Sequence, residues 1–104
     1  MSQFDNVSVI KAANLYFDGK VSSRTVVLTD GSRLTLGVAL PGEYSFNTDK
    51  AERMEIQAGE LDLQLPSSDA WQTIRAGESF EVPAKSQFRM NVKTPVDYCC
   101  HFLG

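Results

Sequence analysis

Apolar and polar residues alternate with a period of two along most of this chain. In "EYSFNT" (Glu43–Thr48), Tyr44, Phe46 and Thr48 share one face. "ERMEIQAG" puts Glu52, Met54 and Ile56 together, and "ELDLQLP" does the same for Leu61, Leu63 and Leu65. "SQFRMNVK" aligns Phe88, Met90 and Val92. Such alternation marks strands with one buried face. Turn signals separate the segments: Asp30-Gly31, Pro41-Gly42, Ala58-Gly59 and the loop "PSSDA". The Asp-Gly pair between "SRTVVLTD" and "SRLTLGVAL" is a strong hairpin signal. With "WQTIRAG", "ESFEVP" and the closing "VDYCCHFLG", the pattern predicts about nine or ten short strands at intervals of about 8–12 residues. That spacing belongs to a sandwich or a barrel. In "DNVSVIKAANLYF", Val7, Ile10, Ala13 and Phe17 make a weak helical stripe that Asp5 or Asn6 could cap. The stretch reads as irregular chain or one short turn.

Composition narrows the picture. The chain has 104 residues, which predicts a single domain over 1–104 with an irregular N-terminal arm at 1–14. A domain so small has a modest core, and pairing into a homodimer would bury more surface and cover open strand edges. Hydrophobic residues at 42% and charged residues at 22% fit a folded globular chain. A net charge of −3 without a basic run argues against a nucleic-acid partner. No apolar run approaches the length of a membrane span, and the N-terminus lacks a basic segment followed by an apolar one, so the expected location is the cytoplasm, with no membrane partner. The two cysteines, Cys99 and Cys100, are neighbours. Alternation sends them to opposite faces, so both should be thiols, one buried and one partly exposed.

Candidate chemistry begins at "AGESFEVPAKSQF" (Ala76–Phe88). Gly77, five residues and Pro83 match the second motif of cupin β-barrels, with Lys85 at the usual glycine and Phe88 at the usual metal-binding histidine. The tail of the first cupin motif fits Glu52, six residues and Gly59. Counting back places Phe46 and Thr48 at the other two ligand positions. Of Phe46, Thr48, Glu52 and Phe88, only Glu52 is a good metal ligand, and phenyl rings donate no lone pair. One histidine, His101, cannot rebuild a three-ligand site. The chain therefore resembles a jelly-roll-like cupin barrel without its interior metal. Tyr44, Phe46 and Phe88 would give its mouth flat apolar walls suited to a planar ring, with Thr48 and Glu52 as polar groups on the same wall. The same aromatics would also serve as plain core.

The segments "LYFDGKV", "GVALPGEYSFNT", "ERMEIQAGELDLQLP" and "WQTIRAGESFEVPAKSQFRMNV" resemble the pyrimidine/purine nucleoside phosphorylase family of small bacterial cupins. The resemblance implies phosphate-dependent cleavage of purine and pyrimidine nucleosides to free base and ribose 1-phosphate. It implies a broad-specificity pentosyltransferase with phosphate as co-substrate and no cofactor. An aromatic-walled pocket suits mixed bases, because every base has a π-face. The reaction needs a cation for phosphate and a carboxylate or hydroxyl near the sugar. Arg33 is the first candidate for phosphate, with His101 or Arg53 second. Glu52 is the candidate carboxylate, supported by Thr48. Tyr44, Phe46, Phe88, Glu43 and His101 are candidate substrate contacts, although Glu43 could equally be a turn or interface residue. A non-catalytic barrel that binds a small ligand is the competing reading. A metal-dependent isomerase or dioxygenase needs more histidines than the chain has.

Overall fold

A computed structural model describes residues 2–103. Nine strands run in chain order: β1 (Ser8–Val9), β2 (Asn14–Tyr16), β3 (Val21–Val27), β4 (Arg33–Ala39), β5 (Gly42–Asn47), β6 (Glu52–Gln64), β7 (Gln72–Arg75), β8 (Ser79–Val82) and β9 (Gln87–Phe102). There is no helix among the described residues, so none is long and apolar enough to cross a membrane. The weak stripe near the N-terminus forms no helix: it is irregular chain interrupted by two short strands. Its two ends, β1 and β2, both pair antiparallel with β3. Extended backbone there satisfies groups that a short, poorly sealed helix would leave open.

The Asp30-Gly31 turn closes the β3–β4 hairpin as its sequence requires. Gly31 adopts φ 85°, and Asp30 accepts hydrogen bonds from the Ser32 amide at 2.8 Å and the Ser32 hydroxyl at 2.5 Å. Elsewhere the chain joins what its local pattern separates. "ERMEIQAG" and "ELDLQLP" are one long strand, β6, and "SQFRMNVK" and "VDYCCHFLG" are one longer strand, β9. The two pair along most of their length, from Glu52↔Phe102 to Gln64↔Arg89. Bulges between Ile56 and Leu61 absorb the change of parity. Gly59 sits in them at φ 89°, where a Cβ would collide with the Pro95 carbonyl.

These two strands organise the fold. The first half of β6 carries β8 as a second neighbour, and the second half carries β7. The first half of β9 carries β5 and the second half β4. Alternation along them fills one interior with Met54, Ile56, Leu61, Leu63, Phe88, Met90, Val92 and Val96. Burying each such side chain stabilises the fold by about 1.5–3 kcal/mol. A smaller cluster of Val26, Leu34 and Cys99, flanked by Val7 and Leu28, lies on the other face of the sheet. This second layer corrects one expectation: Cys99 and Cys100 do face opposite ways, but both are buried, at 1% and 6% exposure.

Candidate functional site

The interior is not filled at one end. A cleft opens there, floored by Phe46, Phe88, Met54 and Met90 and edged by polar side chains including Thr35 and Glu52. Phe46 and Phe88 face each other across the β5–β9 pair, with ring centroids 5.5 Å apart and planes 24° from parallel. Phe80 meets Phe88 edge-on from below at 6.2 Å. Phe17 packs edge-on against Phe46 at 5.5 Å from the rim. These contacts hold the two rings as a rigid wall. Tyr98 closes the opposite side. It lies across β4 at Gly37, where a Cβ would stand 2.6 Å from the tyrosine ring. Glycine there makes room for the ring.

Glu52 is the first residue of β6, and its carboxyl lines the cleft. Burial raises its pKa above the ordinary value, while a hydrogen bond with the Cys100 thiol partly offsets the rise. Among the described residues no cation pairs with it. Cys100 lies between Glu52 and Thr35. Burial first, then the Glu52 charge, pushes its thiol up to about 12, so it remains protonated and can donate. Beyond Glu52 the cleft continues into an outer compartment. Tyr16, Thr35, Glu52 and Phe102 line both parts, whereas Arg33, Lys50 and Asp49 line the outer part alone. The sequence of surfaces is thus aromatic wall, carboxylate and hydroxyl, then the cationic Arg33 and Lys50 beside Asp49.

The other residues nominated by the sequence stand elsewhere. Thr48 is buried, but its hydroxyl donates to the Pro83 carbonyl at 2.7 Å and accepts from the Ser86 amide at 2.9 Å. It ties down the β8–β9 turn and does not line the cleft. In that turn Lys85 has φ 51°: the left-handed backbone of the motif glycine is retained although the residue has changed. Tyr44 is core, its hydroxyl donating to the Leu40 carbonyl at 2.7 Å, and its ring lies 4.9 Å from that of Phe17. Glu43 points outward and pairs with Arg89, whose guanidinium lies over Trp71 at 5.5 Å. Arg53 and His101 also face outward, on the sheet face opposite the cleft, where both approach Glu55.

Several cleft residues escape the sequence reading. Thr35 shares the parity of Arg33 and was within reach of that argument. Tyr16 lies in the segment read as irregular, and Lys50 lies in a loop where no periodicity operates. Asn47, Ser23 and Tyr98 also line the cleft.

Comparison with known proteins sets this geometry in context. A family model described as pyrimidine/purine nucleoside phosphorylase matches residues 11–102. A relative from Hydrogenovibrio crunogenus, called pyrimidine/purine nucleoside phosphorylase, is 61% identical over 103 residues, 99% of each chain. One of the same name from Geobacter sulfurreducens is 60% identical over the whole of both chains. Among solved structures, a protein of unknown function from Acinetobacter sp. ADP1 is 44% identical with a TM-score of 0.94, covering 97% of this chain and 98% of that one. An RmlC-like cupin from Shewanella frigidimarina, 14% identical with a TM-score of 0.68 over 97% of this chain and 86% of its own, shares the fold. The architecture is therefore all-β and cupin-type.

Proposed function

The chain belongs to the pyrimidine/purine nucleoside phosphorylase family, and from that membership we propose that it cleaves purine and pyrimidine nucleosides with inorganic phosphate. The products are free base and pentose 1-phosphate, which makes it a broad-specificity pentosyltransferase of nucleoside metabolism. The observation that carries this reading is the order of surfaces along the cleft. A planar base fits against Phe46 and Phe88, the sugar beside Glu52 and Thr35, and phosphate in the compartment with Arg33 and Lys50. In that order C1′ of the sugar lies between the leaving base and the incoming phosphate, as displacement at that carbon demands.

In the reaction the C1′–N bond breaks and a C1′–O bond to phosphate forms. The electron pair of the broken bond leaves with the base, and the proton carried by hydrogen phosphate balances it. The transition state carries positive charge on the sugar, by analogy with other displacements at an anomeric carbon. The Glu52 carboxylate stabilises that charge and accepts hydrogen bonds from sugar hydroxyls. Arg33 and Lys50 hold the phosphate and set its line of attack. Stacking on the aromatic wall reads the face of the base and not its edges, which suits both base classes. None of these steps uses a metal.

The test is direct. Inosine and uridine are incubated with the protein, with and without phosphate, and base release is followed by ultraviolet absorbance. Release of both bases only with phosphate supports the proposal. Tight nucleoside binding without release would favour a barrel that binds its ligand and does no chemistry.

The working unit we propose is a cytoplasmic homodimer. Leu36, Val38 and Leu40 lie on the outward face of β4 and its continuation, each more than 40% exposed, and a second copy would cover them. Light scattering at micromolar concentration should give twice 11.5 kDa. A mass of 11.5 kDa would refute the dimer.

A further inference from the structure

The face of the sheet that turns away from the cleft carries its own chemistry. Glu55 on β6 lies directly opposite Cys99 on β9, and the next residue of β9 on that face is His101, opposite Arg53. Among the described residues, Glu55, Cys99 and His101 each bring one ligand-type atom to within 4.8 Å of the others. Both close contacts converge on one ring nitrogen. His101 Nε2 lies 2.9 Å from Glu55 Oε1 and 3.4 Å from Cys99 Sγ. A single N–H cannot point well at both. Three ligand-type atoms gathered this closely can be satisfied together by one ion.

We propose that Glu55, Cys99 and His101 form a site for a zinc-type divalent cation on the outer face of the sheet, separate from the phosphorolysis cleft. Zinc binds sulfur at about 2.3 Å and nitrogen or oxygen at about 2.0–2.2 Å, so tetrahedral ligands stand about 3.2–3.7 Å apart. The Nε2–Sγ separation already lies in that range, and the Nε2–Oε1 pair has only to open slightly. A thiolate, an imidazole and a carboxylate are a donor set that zinc accepts. The strands supply rigidity, because two of the ligands alternate on β9 and the third is their cross-strand neighbour. The fourth position faces a groove lined by Phe4, Val9, Leu36 and Gln57, which leaves room for water.

Two local features shape the affinity. Burial, reinforced by the Glu55 charge, pushes the Cys99 thiol up to about 11, so the metal must displace the thiol proton as it binds. Arg53 Nη2 stands 3.6 Å from the same Glu55 oxygen and must yield to the ion. The consequence of binding is mechanical: the ion pins β6 to β9, and only the native state presents the three ligands together.

The experiment uses the full chain, stripped with a chelator and titrated with cobalt(II), then with zinc. One cobalt per chain with a thiolate-to-cobalt charge-transfer band, displaced by zinc, is expected. Zinc should also raise the melting temperature. Cys99→Ser should abolish the band and Cys100→Ser should retain it. His101→Gln and Glu55→Gln, at partly exposed positions, should each leave the melting temperature of the metal-free protein near the wild-type value and weaken zinc binding by at least about tenfold, the loss that even an outer-sphere partner causes. The proposal is overturned if no thiolate band forms, if the band follows Cys100 instead of Cys99, or if His101→Gln and Glu55→Gln bind zinc as the wild type does.

Discussion

Replacing Glu52 by glutamine separates catalysis from stability at one atom. The side chain keeps its shape and loses its charge. No cation neutralises that charge in the described structure, and burial already disfavours it. As the base departs, positive charge develops on the sugar. Unit charges about 4 Å apart interact by about 1 kcal/mol in water and about 4 kcal/mol at the effective dielectric near a protein surface. Glu52 sits half-open to solvent, so screening keeps the effect toward the lower part of that range. A loss of about 1.4–2.8 kcal/mol in the transition state lowers kcat by about ten- to a hundredfold. KM should change less, because the sugar is neutral before reaction.

Stability should move the other way. The folded pKa of Glu52 lies above its ordinary 4.5, so the folded state holds this proton more tightly than the unfolded chain. The resulting stability is present in full below 4.5 and is lost as pH rises through the raised folded value. Glutamine has no proton to lose. The melting temperature of Glu52→Gln should therefore match the wild type in acid and exceed it at neutral pH. Steady-state phosphorolysis beside thermal melts at several pH values decides the matter. A variant that turns over at the wild-type rate, or one that melts early at neutral pH, would refute the assignment.

Other positions make independent tests. Arg33→Ala should raise KM for phosphate about ten- to a hundredfold, the loss of a charge-assisted contact of about 1.5–3 kcal/mol, while nucleoside binding changes little; Lys50→Ala should act in the same direction. Phe46→Ala should weaken nucleoside binding by about 1–3 kcal/mol for inosine and uridine alike, measured by calorimetry without phosphate, because a π-face carries no edge information. Lys85→Gly relieves a left-handed residue that costs about 1–2 kcal/mol and returns about 0.5–1 kcal/mol as lost chain entropy, so a rise in melting temperature is expected. Phosphorolysis should survive a strong chelator, because Phe46, Thr48 and Phe88 stand where a metal-bearing barrel has ligands; activity lost on chelation and restored by a metal would contradict this.

Local pattern determined most of the strands, and the physical reason is local too. Alternation at Tyr44–Phe46, Met54–Ile56, Leu61–Leu65 and Phe88–Val92 marks which residues share a face, and Asp30-Gly31 marks a turn that few other pairs form. That Phe46 and Phe88 supply no metal ligand was legible for the same reason: a phenyl ring cannot donate a lone pair wherever it points. Tertiary structure decided which face is which. Parity groups Arg33 with Thr35 and Cys99 with His101, but only the β4–β9–β6 register turns the first pair toward the cleft and the second pair away from it. Thr48 follows the alternation of β5 yet lies one residue beyond its end, where the β8–β9 turn claims its hydroxyl. Lys50 reaches the cleft through a loop that no periodicity governs. Cys99 is buried because Val7, from the chain before β1, and Leu28 pack against its cluster with Val26 and Leu34, a contact between segments distant in sequence. Alternation is a property of neighbours along one strand, whereas the site is made by pairing between strands, and long-range pairing leaves no periodic trace in the chain.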